Sequence, residues 1–269
     1  MWALFQENCR YVFRSRMVIM ILVFSTLVHY SGLKLLNHLT LSIQNVVSVV
    51  GPNEAIYAAH FLQLFTSLSI AAVFGIWMAP YAHRGERSLL THVLPLSKVK
   101  FSFCYVLCCV VLLLINELVL LGSFGVVFGF SSLAKGSFSL ILAVKTFAFQ
   151  TLCLEVLMLA LALSSLILGQ VTTVFLGGSS LFIMQVLGTF ARFFKQGPEF
   201  SLLSPKGLLV FIYHKLPPVG DFIFDFMGVM KNGIVPVEHL ILWMFWFIAF
   251  NLLFWFKVRY PIQARSTEA

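Results

Sequence analysis

Apolar runs long enough to cross a lipid bilayer dominate this sequence and set the first limit on its fold. A spanning helix needs about 20 mostly apolar residues to cross a hydrocarbon core about 30 Å thick. Six such runs are present, at residues 17–36, 56–80, 101–130, 138–168, 171–194 and 239–256. Backbone polar groups in lipid must be hydrogen-bonded within the protein, so continuous apolar runs of this length form helices. We therefore predict an all-α integral membrane protein with six transmembrane helices.

The amount and distribution of charge agree with this class. Only 10% of the residues are charged and 60% are hydrophobic, whereas a soluble domain carries about 25% charged residues. The formal charge of +8 is scattered between the apolar runs, which is typical of orientation signals rather than of a nucleic-acid surface. We expect membrane lipid, and no nucleic acid, among the partners of one membrane domain that covers residues 1–269.

Lysine and arginine residues indicate how the chain is oriented. Positive charges favour the cytoplasmic ends of spans, and three segments, residues 10–16, 84–100 and 257–265, hold ten of the 18 Lys and Arg residues. The segment at 195–238 carries four lysines and opposes this assignment. We expect both termini in the cytoplasm. The absence of N-x-[ST] sequons and of long soluble domains favours the bacterial inner membrane.

Two further segments are predicted to form helices without crossing the membrane. In residues 1–16, apolar side chains recur at helical spacing opposite polar ones, as in an amphipathic helix that lies in the membrane interface. In residues 195–238, two apolar runs at 208–213 and 222–230 lie among five prolines and are too short to cross. We expect short re-entrant helices on the extracytoplasmic side before the last span.

Ionisable residues inside the predicted spans are candidate functional residues, because burying one costs at least about 2.5–3.5 kcal/mol. Glu117 lies near the middle of the third span, and Glu155 and Lys145 lie in the fourth. Either they line an intramembrane polar path or a subunit seam, with Lys145 as a possible partner, or each carboxyl group bonds to a neighbouring helix. His60 and Gln63 are predicted to form hydrogen bonds between helices.

Motifs for independent catalysis are missing from this sequence. No G-x-x-x-x-G-K-[ST] phosphate loop occurs, so the chain cannot hydrolyse ATP by that route. H-E-x-x-H and G-x-S-x-G are also absent, and the five cysteines form no metal-ligand pattern. We expect no catalytic residue, no metal site and no cofactor in this chain.

The charged segment between the second and third spans, residues 81–100, carries the sharpest pattern in the sequence. A glycine is followed by a Leu-Leu pair and then by Pro, a small or apolar residue, Ser and a basic residue. These positions are Gly85, Leu89, Leu90, Pro95, Ser97 and Lys98. The pattern resembles the cytoplasmic loop of ABC exporter permeases of the drug- and polysaccharide-export type. Glu86-Arg87-Ser88 stands where that family carries Thr and a second acid, and the acid before the glycine is absent.

The resemblance implies the membrane-spanning subunit of an ATP-driven exporter. A short cytoplasmic helix would present Leu89, Leu90 and Val93 to a groove on a separate ATPase subunit, with Arg84, Glu86 and Arg87 at its polar rim and Gly85 and Pro95 in the motif. ATP and Mg²⁺ would be bound by that ATPase, and a second permease copy or a homologue would complete the transporter. Residues 213–222 show a slighter similarity to the multicopper-enzyme-maturation branch of this family.

Other functional classes remain open at this level. A polytopic membrane enzyme would use Glu117, Glu155 and the histidines, and an assembly or sensor subunit would share the permease fold without transporting anything. An ABC importer permease is disfavoured, because its coupling loop lies near the C-terminal end of the chain. Here the corresponding segment lies within the first 100 residues.

Overall fold

The computed structural model describes residues 16–44, 52–78, 98–129, 140–194 and 216–259, together with the single residues 6, 10 and 211. All regular secondary structure in these residues is helical. The helices are α1 (Arg16–Gln44), α2 (Pro52–Val73), which continues into a π-helical segment (Phe74–Met78), α3 (Lys98–Phe128), α4 (Leu140–Leu168), α5 (Gln170–Phe194), α6 (Phe222–Asn232) and α7 (Val237–Arg259).

Among the described residues, five helices are long and apolar enough to cross a membrane: α1, α2 with its π segment, α3, α4 and α7. The predicted class of an all-helical membrane protein is therefore confirmed. The remaining predicted span, the fifth at residues 171–194, coincides with the continuous 25-residue helix α5, whose crossing of the membrane stays a prediction.

Two segments predicted from sequence to lie on the cytoplasmic side, residues 1–16 and 81–100, fall mostly outside the described residues. In the predicted interfacial segment, residues 6 and 10 are helical and exposed. Of the charged segment at 81–100, only residues 98–100 are described, and they form the first turn of α3. All eight residues predicted to contact an ATPase, between positions 84 and 95, lie outside the described part of the chain.

Helix α4 forms the centre of the helical assembly. Residues 153–159 are buried on every side, as expected for a helix that is apolar around its whole circumference. It packs against α2 and its π segment, α3, α5, α6 and α7, whereas α1 packs against α2 and α3. The fold therefore consists of an α1–α2–α3 group joined to a group that is centred on α4.

The short helix α6 covers part of α4 and the start of α7. It begins after the Pro217-Pro218 turn, where the Val219 amide donates to the Pro217 carbonyl over 2.7 Å. It ends at Gly233, whose positive φ of 66° lets its amide bond back to Val229. Its buried residues recur at helical spacing, and the ring of Phe222 lies 5.9 Å from that of Trp243. Helix α6 thus matches the second of the two short helices predicted before the last span.

The π-helical segment brings α2 into close contact with both α3 and α4. The Tyr105 hydroxyl of α3 donates to the Phe74 carbonyl over 2.6 Å. The Ser165 hydroxyl of α4 lies 3.2 Å from the Gly75 carbonyl and 3.0 Å from the Ala162 carbonyl of its own helix, between which its hydrogen is shared. A π turn shifts backbone carbonyls out of the regular α-helical pattern, so both hydroxyls lie against oxygens of the π segment. A Cβ atom at Gly75 would lie 2.6 Å from the Met158 carbonyl oxygen. Only glycine permits this approach.

Gly75→Ala is expected to lower the free energy of unfolding by about 1–3 kcal/mol, because the added methyl group meets backbone atoms of α4 that cannot rotate away. Gly122→Ala is the matched control, since a Cβ atom there has no neighbour within 4 Å. Thermal unfolding of both variants in detergent checks the expectation. Equal melting temperatures for the two variants would show that the close approach of α2 to α4 at Gly75 does not contribute to stability.

Candidate functional site

Polar side chains from α1, α2 and α3 meet inside the membrane-spanning part of the protein. We call this set the polar cluster. Its members are Ser25 and His29 of α1, His60, Gln63, Thr66 and Ser67 of α2, and Asn116 and Glu117 of α3. All eight residues are buried, so each depends on the others for hydrogen bonds that water would otherwise supply.

The side-chain amide of Asn116 links the three helices. Its nitrogen donates to the Thr66 hydroxyl over 3.1 Å and to the Ser67 hydroxyl over 2.8 Å, both on α2. Its carbonyl oxygen accepts a hydrogen bond from the Ser25 hydroxyl of α1. Both amide hydrogens and the carbonyl oxygen are therefore used. Thr66 of α2 also contacts both neighbouring helices, at His29 of α1 and at Asn116 of α3.

Thr66 joins His29 of α1 to α2. The Thr66 hydroxyl lies 2.9 Å from the Gln63 backbone carbonyl and 3.0 Å from His29 Nε2. Its single hydrogen serves one of these two contacts, and the tautomer of His29 decides which one. The other ring nitrogen, His29 Nδ1, is buried and has no hydrogen-bond partner among the described residues.

Glu117 occupies the side of the cluster formed by α2 and α3. Its Oε2 accepts a hydrogen bond from Gln63 Nε2, and its Oε1 lies 3.7 Å from His60 Nε2. The remaining Gln63 atom, Oε1, is buried without a hydrogen-bond partner in the described structure. The prediction that Gln63 forms hydrogen bonds between helices is thus confirmed, and Glu117 is its partner.

Glu155 lies outside the polar cluster. It is buried on α4 beside Cys109 of α3, and eight residues, or about 12 Å of helix, separate Cys109 from Glu117. Neither carboxyl oxygen of Glu155 has a hydrogen bond of normal geometry within the described residues. Lys145 is exposed and forms no ion pair with Glu117 or Glu155, all three of which are described. A path shared by the three residues stays a prediction.

Sequence reasoning missed most of the polar cluster. Serine and threonine are common in transmembrane helices and do not by themselves indicate a site. Asn116 carries no charge, so the rule for intramembrane charges selected its neighbour Glu117 and not Asn116. One available signal was the four-residue spacing of Ser25 and His29, which places both side chains on one face of α1.

A second polar contact missed from the sequence joins α6 to α7. His239 Nδ1 lies 2.7 Å from Asp225 Oδ2, and Asp225 is buried. The two residues are fourteen positions apart in separate helices, so no local spacing indicates that they meet. The contact attaches the short helix α6 to the start of α7.

Comparison with protein-family models, with curated proteins and with solved structures gives no match.

Asn116→Leu is expected to lower the free energy of unfolding by about 1–3 kcal/mol, because it leaves buried hydroxyls on α1 and α2 without their partner. The matched control is Asn251→Leu, since the Asn251 amide donates to the Phe247 carbonyl of its own helix. Unfolding in detergent, followed by tryptophan fluorescence, measures both. If Asn116→Leu were as stable as the control, the amide would not hold the three helices together.

Proposed function

We propose that this chain is the membrane-spanning subunit of an ATP-driven ABC exporter. It would couple a separate ATPase subunit to the movement of a substrate across or out of the membrane. The observation that carries the proposal is the motif at residues 84–98, with its glycine, Leu-Leu pair and Pro-x-Ser-basic ending. The all-helical membrane fold supports it, because the motif then lies between two helices long enough to cross the bilayer.

The positions of α2 and α3 explain how movement of the motif could reach the interior of the membrane. Residues 79–97 join the π segment at the end of α2 to the start of α3. The same two helices are linked through the polar cluster, by Gln63 to Glu117 and by Thr66 and Ser67 to Asn116. A displacement of α2 against α3 must therefore break or exchange these bonds, and the proposed switch requires a second set of partners for them.

The π segment extends this coupling to the centre of the fold. It is bonded to α3 through Tyr105 and to α4 through Ser165. Gly75 holds the backbones of α2 and α4 in contact. In the proposed mechanism, a tilt of α2 imposed from the cytoplasm moves α4, against which most of the other helices pack.

The ATPase would bind through apolar anchors with a charged rim. Leu89, Leu90 and Val93 would enter a groove on its surface, because buried apolar anchors supply most of the energy of an interface. Arg84, Glu86 and Arg87 would surround them and set the register of the contact. ATP and Mg²⁺ would be held by the ATPase rather than by this chain.

The complete transporter would contain two permease subunits, either two copies of this chain or one copy and a homologue. Exposed apolar side chains cover the outer surface of α7, including Ile241, Phe245, Ile248 and Leu252. Such a surface suits contact with lipid or with a second membrane subunit. The proposal places the assembly in the bacterial inner membrane, with both termini of this chain in the cytoplasm.

The double variant Leu89→Asp and Leu90→Asp is expected to reduce association with the ATPase at least tenfold, because each anchor supplies about 2 kcal/mol or more. The probe is the phosphate-loop ATPase encoded by the neighbouring gene, measured by co-purification with the tagged permease.

Ser88→Asp with Thr91→Asp is the control for this experiment. It adds the same two charges to the same segment, at positions that lie opposite the anchors on a helical wheel. The control is expected to retain the ATPase. Unchanged association of the Leu89/Leu90 variant would contradict the proposed contact.

A further inference from the structure

Two oxygen atoms of the polar cluster lack a close hydrogen-bond donor among the described residues. One is Gln63 Oε1, which is buried. Glu117 Oε1 lies 3.7 Å from His60 Nε2, which is longer than a hydrogen bond of about 2.7–3.2 Å. Asn116 has no donor to spare, because both of its amide hydrogens are used. None of the described hydrogen bonds therefore reaches Glu117 Oε1.

The charge of the cluster favours the binding of a proton. Glu117 is the one formal anion among its eight described members, and none of them is Lys or Arg. Two lysines whose exposure is described lie outside the cluster: Lys34 lies over the Tyr30 ring of α1, and Lys145 is exposed on α4. With both histidines neutral, the cluster would carry one uncompensated negative charge inside the membrane, which costs several kcal/mol. One added proton removes that charge.

We propose that the polar cluster is a proton-binding site, in which one exchangeable proton is held between Glu117 Oε1 and His60 Nε2. The proton comes from bulk water and returns to it, and no other bond is made or broken. A decrease of less than about 1 Å in the separation of the two atoms converts their contact into a hydrogen bond. A proton also needs no cavity, which suits a site where the Gln63 amide already contacts the carboxyl group.

The titratable groups that face this proton come from each of the helices that form the site. They are His60 on α2, Glu117 on α3 and, through Thr66, His29 on α1. On α4, which packs against α2 and α3, the buried acid is Glu155, which lies beside Cys109. The Glu117 side chain is 12% exposed and that of His60 is 5% exposed. Glu117 is therefore the more accessible of the two groups.

Proton binding links the site to the arrangement of α2 and α3. The acceptor His60 lies on one helix and Glu117 on the other, so the affinity for the proton depends on the separation of the two helices. The inference does not rest on the proposed export function, since it uses only contacts within α1–α3. It would hold equally for a membrane protein of another class.

The test is infrared difference spectroscopy of the 269-residue chain in phosphatidylcholine vesicles, between an acidic and an alkaline buffer. A protonated carboxyl group has a carbonyl stretch that disappears when the proton leaves. We expect such a band in the wild-type chain and its complete loss in Glu117→Gln, whose amide can keep the contacts to Gln63 and His60. Glu155→Gln, the matched buried carboxyl control, is expected to retain the Glu117 band.

A second variant separates proton binding from a merely structural role of the acid. In His60→Gln the proton can reside only on Glu117, so the band is expected to remain but to change in frequency. Size-exclusion profiles in detergent verify that each variant is folded. An identical difference spectrum in wild type and Glu117→Gln would overturn the proposal. A change in the wild-type band when choline replaces sodium in the buffer would also overturn it, because the site would then bind a metal cation.

Discussion

The hydrogen bonds of the Asn116 amide hold α1, α2 and α3 together, and the rest of the α1–α3 group depends on them. Within lipid the hydrophobic effect does not draw helices to one another, so specific polar contacts and close packing must do so. One amide that bonds to Ser25, Thr66 and Ser67 fixes both the rotation and the axial position of three helices. Those positions, in turn, place Glu117 beside Gln63 and His60.

The second half of the fold is held by close packing rather than by a polar cluster. The contact of Gly75 with the backbone of α4 allows the π segment of α2 to bond to Tyr105 and Ser165. This contact lies at the end of α2, directly before the segment with the permease-like motif. The polar cluster and the π segment thus connect α2 to its neighbours at two levels of the membrane, and any movement of α2 acts on both.

Several parts of the architecture were predictable because they depend on composition and length alone. Apolar runs of spanning length predicted the helices α1 to α4 and α7, and the short apolar run at 222–230, with prolines on both sides, predicted the short helix α6. The clustering of polar residues was not predictable, because the partners of Asn116 are between 49 and 91 positions distant in sequence. The same holds for Asp225 and His239, which meet only after α6 folds back onto α7.

The sequence by itself determined that the chain is an all-helical membrane protein, because apolar helices of this length are stable in lipid whatever their neighbours. It also determined that charged residues within them need partners. Only the tertiary structure decided which partners those are: Glu117 joins the histidines and amides of α1–α3, whereas Glu155 is enclosed by α4 and α3. The physical reason is that the rotation of each helix about its axis is set by contacts with the others, and no local pattern encodes it.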